Sequence, residues 1–176
     1  MINGQLHKKS SIALSARVVL LVCCSLLFAC TQERQPCLTP KTASLNLKCV
    51  HYLTDTNKTT QDTSLPRAVF IPLTSGQLKS LYYTTSSANF TISLSPVADS
   101  CSWLITTDSL LQAFDTLNFH YQRKLQFLSN ACGYTCFYSL TSATTTNNNI
   151  DSILITNPSV TNDVNNRQLK IFFHRN

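Results

Sequence analysis

Apolar and polar residues alternate along most of the chain beyond residue 44. Leu45, Leu47, Cys49, His51 and Leu53 fall on one side of an extended backbone, with Asn46, Lys48, Val50, Tyr52 and Thr54 on the other. Successive strand side chains point to opposite faces, so this spacing predicts a strand with one largely apolar face. Residues 67–73 predict a second strand, and Pro72, which lacks an amide proton, confines it to an edge or a strand end. Residues 55–64 read as a polar loop and Thr74-Ser75-Gly76 as a turn. Phe90, Ile92 and Leu94 alternate cleanly, and residues 101–106 repeat the theme around Trp103 and Ile105. Residues 108–114 fit either a helical turn or a short strand. Leu117, Phe119 and Tyr121 alternate with Asn118, His120 and Gln122, and Leu125 and Phe127 follow. Residues 134–140 form a dense aromatic strand, 144–149 a polar loop, and 150–155 and 169–173 the closing strands.

Eight or more short strands with polar connections, and no helix pattern longer than two turns, predict an all-β fold. A two-sheet antiparallel sandwich is expected, with immunoglobulin-like topology, because strands of this number and spacing suit two packed sheets. Thr, Val, Ile, Tyr and Phe on a chain with only 12% charged residues point the same way.

The first 29 residues break the alternation. Lys8, Lys9 and Arg17 precede an apolar run from Val18 to Ala29. A basic start, a short apolar stretch and a small residue are the parts of a secretory signal peptide. The run is too short for the roughly 20 residues that span a bilayer as a helix. Leu27-Phe28-Ala29-Cys30 has the form of a lipobox, in which the cysteine takes a diacylglycerol and the chain is cut on its amino side. The expected organisation is a lipoprotein signal peptide over residues 1–29, a lipidated tether over 30–44 and one β-sandwich domain over 45–176. Thr31 stands where an aspartate retains some lipoproteins at the inner membrane, so outer-membrane placement is expected, on either leaflet. The acyl lipid on Cys30 is the only cofactor expected.

Removing Lys8, Lys9 and Arg17 lowers the formal net charge from +6 to +3, and the remaining basic residues are scattered. A nucleic-acid binder gathers them into a stripe, so nucleic acid is not an expected partner. An exported chain meets an oxidising compartment, which permits disulfides. Beyond the anchor stand Cys37, Cys49, Cys101, Cys132 and Cys136, an odd number that leaves at least one thiol unpaired within the chain. A Cys132–Cys136 bridge needs a turn at Gly133, since a fully extended stretch separates their Cα atoms by about 13 Å. Cys49 or Cys101 bridged to Cys132 across the sheets is an equal alternative.

The stretch from Asp115 to Tyr134, DTLNFHYQRKLQFLSNACGY, resembles a family of small, functionally uncharacterised lipoproteins of Bacteroidota. In them a D-x-L-x-F-x-Y strand runs into an S-x-x-C-G-Y segment. The tail Ile155-Thr156-Asn157-Pro158 and the final Leu169–Phe173 stretch are similar too. The resemblance implies an envelope lipoprotein with a β-sandwich domain and an outer-membrane barrel protein as a candidate partner. It supplies no catalytic residue.

Local chemistry is sparse. His120 shares a strand face with Asn118 and Gln122, where a general base is conceivable beside Ser129 as nucleophile and Asp115 as orienter. No nucleophile-elbow pattern accompanies them, and a solvent-facing structural histidine is the expectation. The acids are dispersed, without the local pairing of a glycosidase or the close spacing of a calcium loop. Cys132-x3-Cys136 with a distant His120 is too loose for a zinc site, and no metal is expected. Aromatics crowd the last third of the chain. Some of them belong to the core, and Phe119, Tyr121, Tyr134 and Tyr138 are candidates either for burial there or for a partner surface, exposed aromatics being a mark of protein or sugar binding. The expectation is therefore a non-catalytic binding or structural module for another envelope protein. The alternatives are a glycan-binding lipoprotein using those aromatics and an envelope hydrolase using His120.

Overall fold

A computed structural model describes residues 36–39, 41–53, 59–73, 78–108 and 113–174. Among these residues the regular structure is all strand: β1 (Ser44–Tyr52), β2 (Thr60–Asp62), β3 (Val69–Pro72), β4 (Leu81–Tyr82), β5 (Asn89–Ser93) and β6 (Ser100–Thr106). The chain continues through β7 (Phe114–Ser129), β8 (Gly133–Thr145), β9 (Ile150–Ile155), β10 (Ser159–Val160) and β11 (Leu169–Phe173). Two sheets result. In the first, β1 lies between β11, its parallel neighbour, and β5 and β2, which pair antiparallel with successive parts of it; β9 flanks β11. The second runs β10-β8-β7-β6-β3-β4, antiparallel throughout.

The fold is the expected β-sandwich. In its second sheet β6, β7 and β8 lie side by side in chain sequence as a meander. A tight turn through Asn130-Ala131-Cys132 is the local reason: it returns the chain beside β7 instead of across to the other sheet. Gly133 closes that turn with φ of 72°, a left-handed conformation that glycine adopts without a side-chain penalty.

Alternation decides what faces the core. Leu45, Leu47 and Cys49 of β1 and Phe90 and Ile92 of β5 pack against Trp103 and Ile105 of β6 and Leu117 and Phe119 of β7, all buried. Burying each large apolar side chain contributes about 1.5–3 kcal/mol. Phe70 and Phe90, from opposite sheets, meet with ring centroids 5.3 Å apart. Pro72 sits at the end of β3, beyond the two residues that pair with β4, so its missing donor breaks no ladder on that side. β8 carries a bulge: Tyr121 opposes Leu140 but His120 opposes Ser142, leaving Thr141 as the extra residue. The inward set therefore shifts from Tyr138 and Leu140 to Ala143.

Two buried polar side chains hold the loops. Gln168 is fully buried; its Oε1 accepts from the Asn46 amide at 2.8 Å and its Nε2 donates to the Ser159 carbonyl at 3.2 Å. The Asp115 carboxylate, 1% exposed, accepts from the amides of Asn148 and Asn149, each at 2.8 Å, and from the Thr146 hydroxyl at 3.1 Å. It ties the β8–β9 turn to the start of β7.

Several boundaries differ from expectation. The loop expected over residues 55–64 contains β2, and β8 runs through Thr144 and Thr145 where a polar loop was expected. β4 and β10 pair over only two residues each, too few for alternation to register. The expected turn at 74–76 and most of the 108–114 stretch lie outside the described residues.

Candidate functional site

The most distinctive feature of the surface is the far end of the β7–β8 hairpin. β6 pairs with β7 only as far as His120, and β10 meets β8 at Tyr138 and Ser139. Beyond these points the two strands pair with each other alone, so residues 122–137 form an arm whose Cys136 and Phe137 still pack against the sandwich core and whose distal part leaves it. From Tyr121 to Ser129 the strand advances about 26 Å.

At the base of the arm, Tyr121 and Tyr138 are buried and meet edge to face, centroids 5.2 Å apart and planes at 85°. The Tyr121 hydroxyl accepts from the Ser95 amide at 2.9 Å and donates to the Ser95 carbonyl at 3.2 Å. Burial pushes both phenol pKa values up, so both remain neutral donors at physiological pH. One step outward, Arg123 donates through Nε to Asp99 at 2.6 Å and through Nη1 to the Pro96 carbonyl at 3.0 Å, bracing the arm against the 96–99 loop. The Asp99 carboxylate raises the guanidinium pKa further.

The same face then loses its cover. Leu125 opposes Cys136 and Phe127 opposes Tyr134, and alternation keeps all four on the face that is core-directed nearer the base. Leu125 is 69% exposed, Phe127 46% and Tyr134 64%. The Phe127 and Tyr134 rings lie 5.2 Å apart, tilted by 59°. With Pro96 and Asp99, Arg123, Leu125, Tyr134 and Cys136 wall an open groove under the arm.

The chain's own amino-terminal segment is fastened to this arm. Cys37 and Cys132 form a disulfide with Cα atoms 4.8 Å apart, bridging residues 95 positions apart at the arm's turn. The Thr135 hydroxyl donates to the Lys41 carbonyl, and Ser44 then enters the first sheet opposite Ser93. Residues 37–43, expected as part of the tether, are thus bonded to the domain at two points.

The expected site residues divide accordingly. Tyr134 is exposed as a partner-surface residue must be, but Phe119, Tyr121 and Tyr138 are 0, 2 and 7% exposed and belong to the core. Their shared strand face was readable; the strands of the first sheet that cover it are distant in sequence. Cys132 pairs with Cys37, not with Cys49, Cys101 or Cys136, which are free thiols. Cys49 and Cys101 are buried among apolar side chains on separate sheets, and Cys136 lies on β8, which runs directly away from the turn. Burial pushes the Cys49 pKa up to about 12 and raises that of Cys101, leaving both protonated at neutral pH. Cys30 lies outside the described residues.

His120, Ser129 and Asp115 are not brought together. All three lie on the single strand β7, His120 exposed on one face and Asp115 buried on the other. At strand rise, five residues separate Asp115 from His120 by about 16 Å, and nine separate His120 from Ser129 by about 30 Å. The Ser129 hydroxyl instead accepts from the Cys132 amide at 3.0 Å within the turn. Among the described residues no three His, Cys, Asp or Glu side chains converge as metal ligands do. Sequence reasoning passed over Leu125 and Phe127, the residues exposed beside Tyr134, and Cys37, whose neighbours Pro36 and Pro40 read as tether.

Fold and site together define an all-β sandwich with a projecting hairpin arm stapled by a disulfide to its own amino-terminal segment. The chain belongs to a family of unknown function (DUF6452), which matches residues 70–173, from β3 to the end of β11 and including the whole arm. No curated protein and no solved structure matches the chain significantly.

Proposed function

We propose that this chain is an exported lipoprotein of the kind it resembles in Bacteroidota. In this reading it is cut before Cys30 and anchored in the outer membrane by a lipid there. Its sandwich then acts without catalysis, as a binding or structural module for another envelope protein. The observation that carries this reading is the Cys37–Cys132 disulfide. A structural disulfide forms and persists in an oxidising compartment, which the basic and apolar start of the chain would reach by secretion. The bridge also fastens the domain seven residues after the proposed lipid attachment, where a free tether would let it wander. Confinement to the membrane raises the effective concentration of a module toward a membrane-embedded partner without any new contact.

The open groove between the 96–99 loop and the arm is the face offered to that partner. It combines an ion pair, Arg123 with Asp99, with the exposed aliphatic Leu125. An integral outer-membrane barrel is the partner class that shares the membrane with the lipid.

Affinity capture of the lipidated protein from mildly solubilised envelopes tests the reading, with Cys30→Ala as control. The expected result is one stoichiometric outer-membrane protein, lost in the control and lost again in Arg123→Glu. Recovery of the chain alone overturns the scaffold role and turns attention to glycan binding and to hydrolase activity dependent on His120.

A further inference from the structure

We infer that the tip of the β7–β8 arm rests in the headgroup region of the bilayer that holds the lipid on Cys30, as a second, non-covalent membrane contact. The inference rests on the lipoprotein reading above and adds to it an orientation: arm down, sandwich away from the lipid.

Three observations carry it. The first is covalent. Cys30 and Cys37 are seven residues apart, a contour of at most about 25 Å. Cys37 is bonded to Cys132 in the arm's turn, so the tip is the part of the described fold tied most directly to the anchor. The second is apolar exposure at that same end. Phe127 and Tyr134 meet there with tilted rings, centroids 5.2 Å apart, while remaining 46% and 64% exposed, and Leu38, beside the staple, is 89% exposed. Aromatic rings with one polar edge favour the boundary between headgroups and acyl chains, where part of the ring is apolar-solvated and the hydroxyl stays wet. The third is charge. Residues 124–135 of the arm's tip and 37–43 of the stapled segment hold Lys124 and Lys41 and not one Asp or Glu, while Arg123, nearer the base, is already paired with Asp99. A tip that bears cations and no acids approaches anionic headgroups without repulsion.

A lipid surface explains the combination better than a protein partner does. An apolar face at a protein interface requires only complementarity, whereas here the exposed rings, the absence of acids and the covalent tie to the anchor coincide at one end of one hairpin. The basal part of the groove, at Pro96, Asp99 and Arg123, remains free for the protein partner, which would lie in the same membrane.

The full lipidated chain, reconstituted into vesicles of phosphatidylethanolamine and phosphatidylglycerol, provides the test. The native chain has one tryptophan, Trp103, buried at 1% exposure, so its fluorescence is a constant background. Phe127→Trp places a reporter at the tip, and Phe114→Trp places one at the opposite end of the same strand, where the side chain is 39% exposed. With brominated acyl chains, emission from the Phe127→Trp reporter is expected to fall at least twofold, and that from Phe114→Trp to match the unsubstituted protein. Equal emission from both reporters, in protein that floats with the vesicles, overturns the tip contact and leaves the anchor reading standing. Failure of the chain to float removes the anchor reading and this inference with it. An unquenched tip reporter, together with a protein adduct from a photocrosslinker placed at Phe127 in native envelopes, assigns the tip to a protein partner and overturns lipid contact.

Discussion

The two halves of β7 have the same kind of sequence and opposite fates. From Phe114 to Tyr121 the apolar residues Leu117, Phe119 and Tyr121 alternate with polar ones and are almost wholly buried. From Gln122 to Ser129 Leu125 and Phe127 continue on the same face, and both are exposed. The distal half adds Arg123 and Lys124, but its apolar residues keep the same alternation. What changes is the other layer: among the described residues, core side chains of the first sheet bury the proximal residues, while Leu125 and Phe127 stay exposed. Alternation therefore reports that a face is apolar, and a second element must arrive from elsewhere in the chain to make that face a core. An apolar face left without its second layer is a surface that meets something else.

The largest effect expected from this contrast is on the covered side. Phe119 is fully buried, so Phe119→Ala removes a ring from a close-packed core and should cost about 3–5 kcal/mol in urea unfolding. A loss near 1 kcal/mol would mean that the proximal half is no better covered than the arm.

Next comes the staple. Replacing both partners, Cys37→Ser with Cys132→Ser, opens a loop of about a hundred residues and should cost about 2–4 kcal/mol. The diagnostic readout is local. Hydrogen exchange should accelerate at amides 122–137 and across 37–43, while amides of β6 and of β7 up to Tyr121 keep their protection relative to global unfolding. Uniform acceleration would show the arm and core to be one cooperative unit.

The two regions also differ in their thiols. Cys49 is sealed in the core with its pKa pushed up to about 12 from the ordinary 9.0, whereas Cys136 lies half-buried on the arm. A thiol whose folded pKa is raised stabilises the fold fully below pH 9, and that contribution is lost as pH climbs toward 12. By pH 11 the unfolded thiol is ionised and the folded one is not, a loss of about 2–3 kcal/mol. Denaturation midpoints at pH 8 and 11 measure it, and Cys49→Ala should flatten the difference. The buried Tyr121 and Tyr138 hydroxyls, also raised, leave a residual slope of the same sign.

These cases mark how far the chain was readable before its fold was known. Strands with five or more alternating residues, such as β1, β5, β6 and β11, were legible because period two is a property of the strand alone. β2, β4 and β10 were not, since two or three residues carry no period and form only because a neighbour supplies the ladder. The parity of Phe119, Tyr121 and Tyr138 was legible, but their cover was not. Cys37 was misjudged for a similar reason: its prolines and polar neighbours describe a local chain that wants to be extended, and the partner that holds it is 95 residues away. Asp115 read as an orienter, and only the meeting of β7 with residues 146–149 shows it as a buried cap for three donors.

The smallest expected effect is the one that tests the comparison most sharply. Phe127→Ala makes the same chemical change as Phe119→Ala, eight residues along the same strand. Phe127 is already 46% exposed, so truncation returns little apolar surface to water and leaves no sealed cavity. Its contact with Tyr134 is the main loss, and an exposed aromatic pair is worth about 0.5–1 kcal/mol. Urea unfolding of the soluble, unanchored protein should therefore shift by no more than that. A cost approaching that of Phe119→Ala would mean that something covers the arm in solution, and a second copy of the chain is the only molecule present to do so. The shift would then depend on protein concentration, as a dimer requires. A small, concentration-independent shift leaves the arm's apolar face open to solvent, as the proposed membrane contact requires.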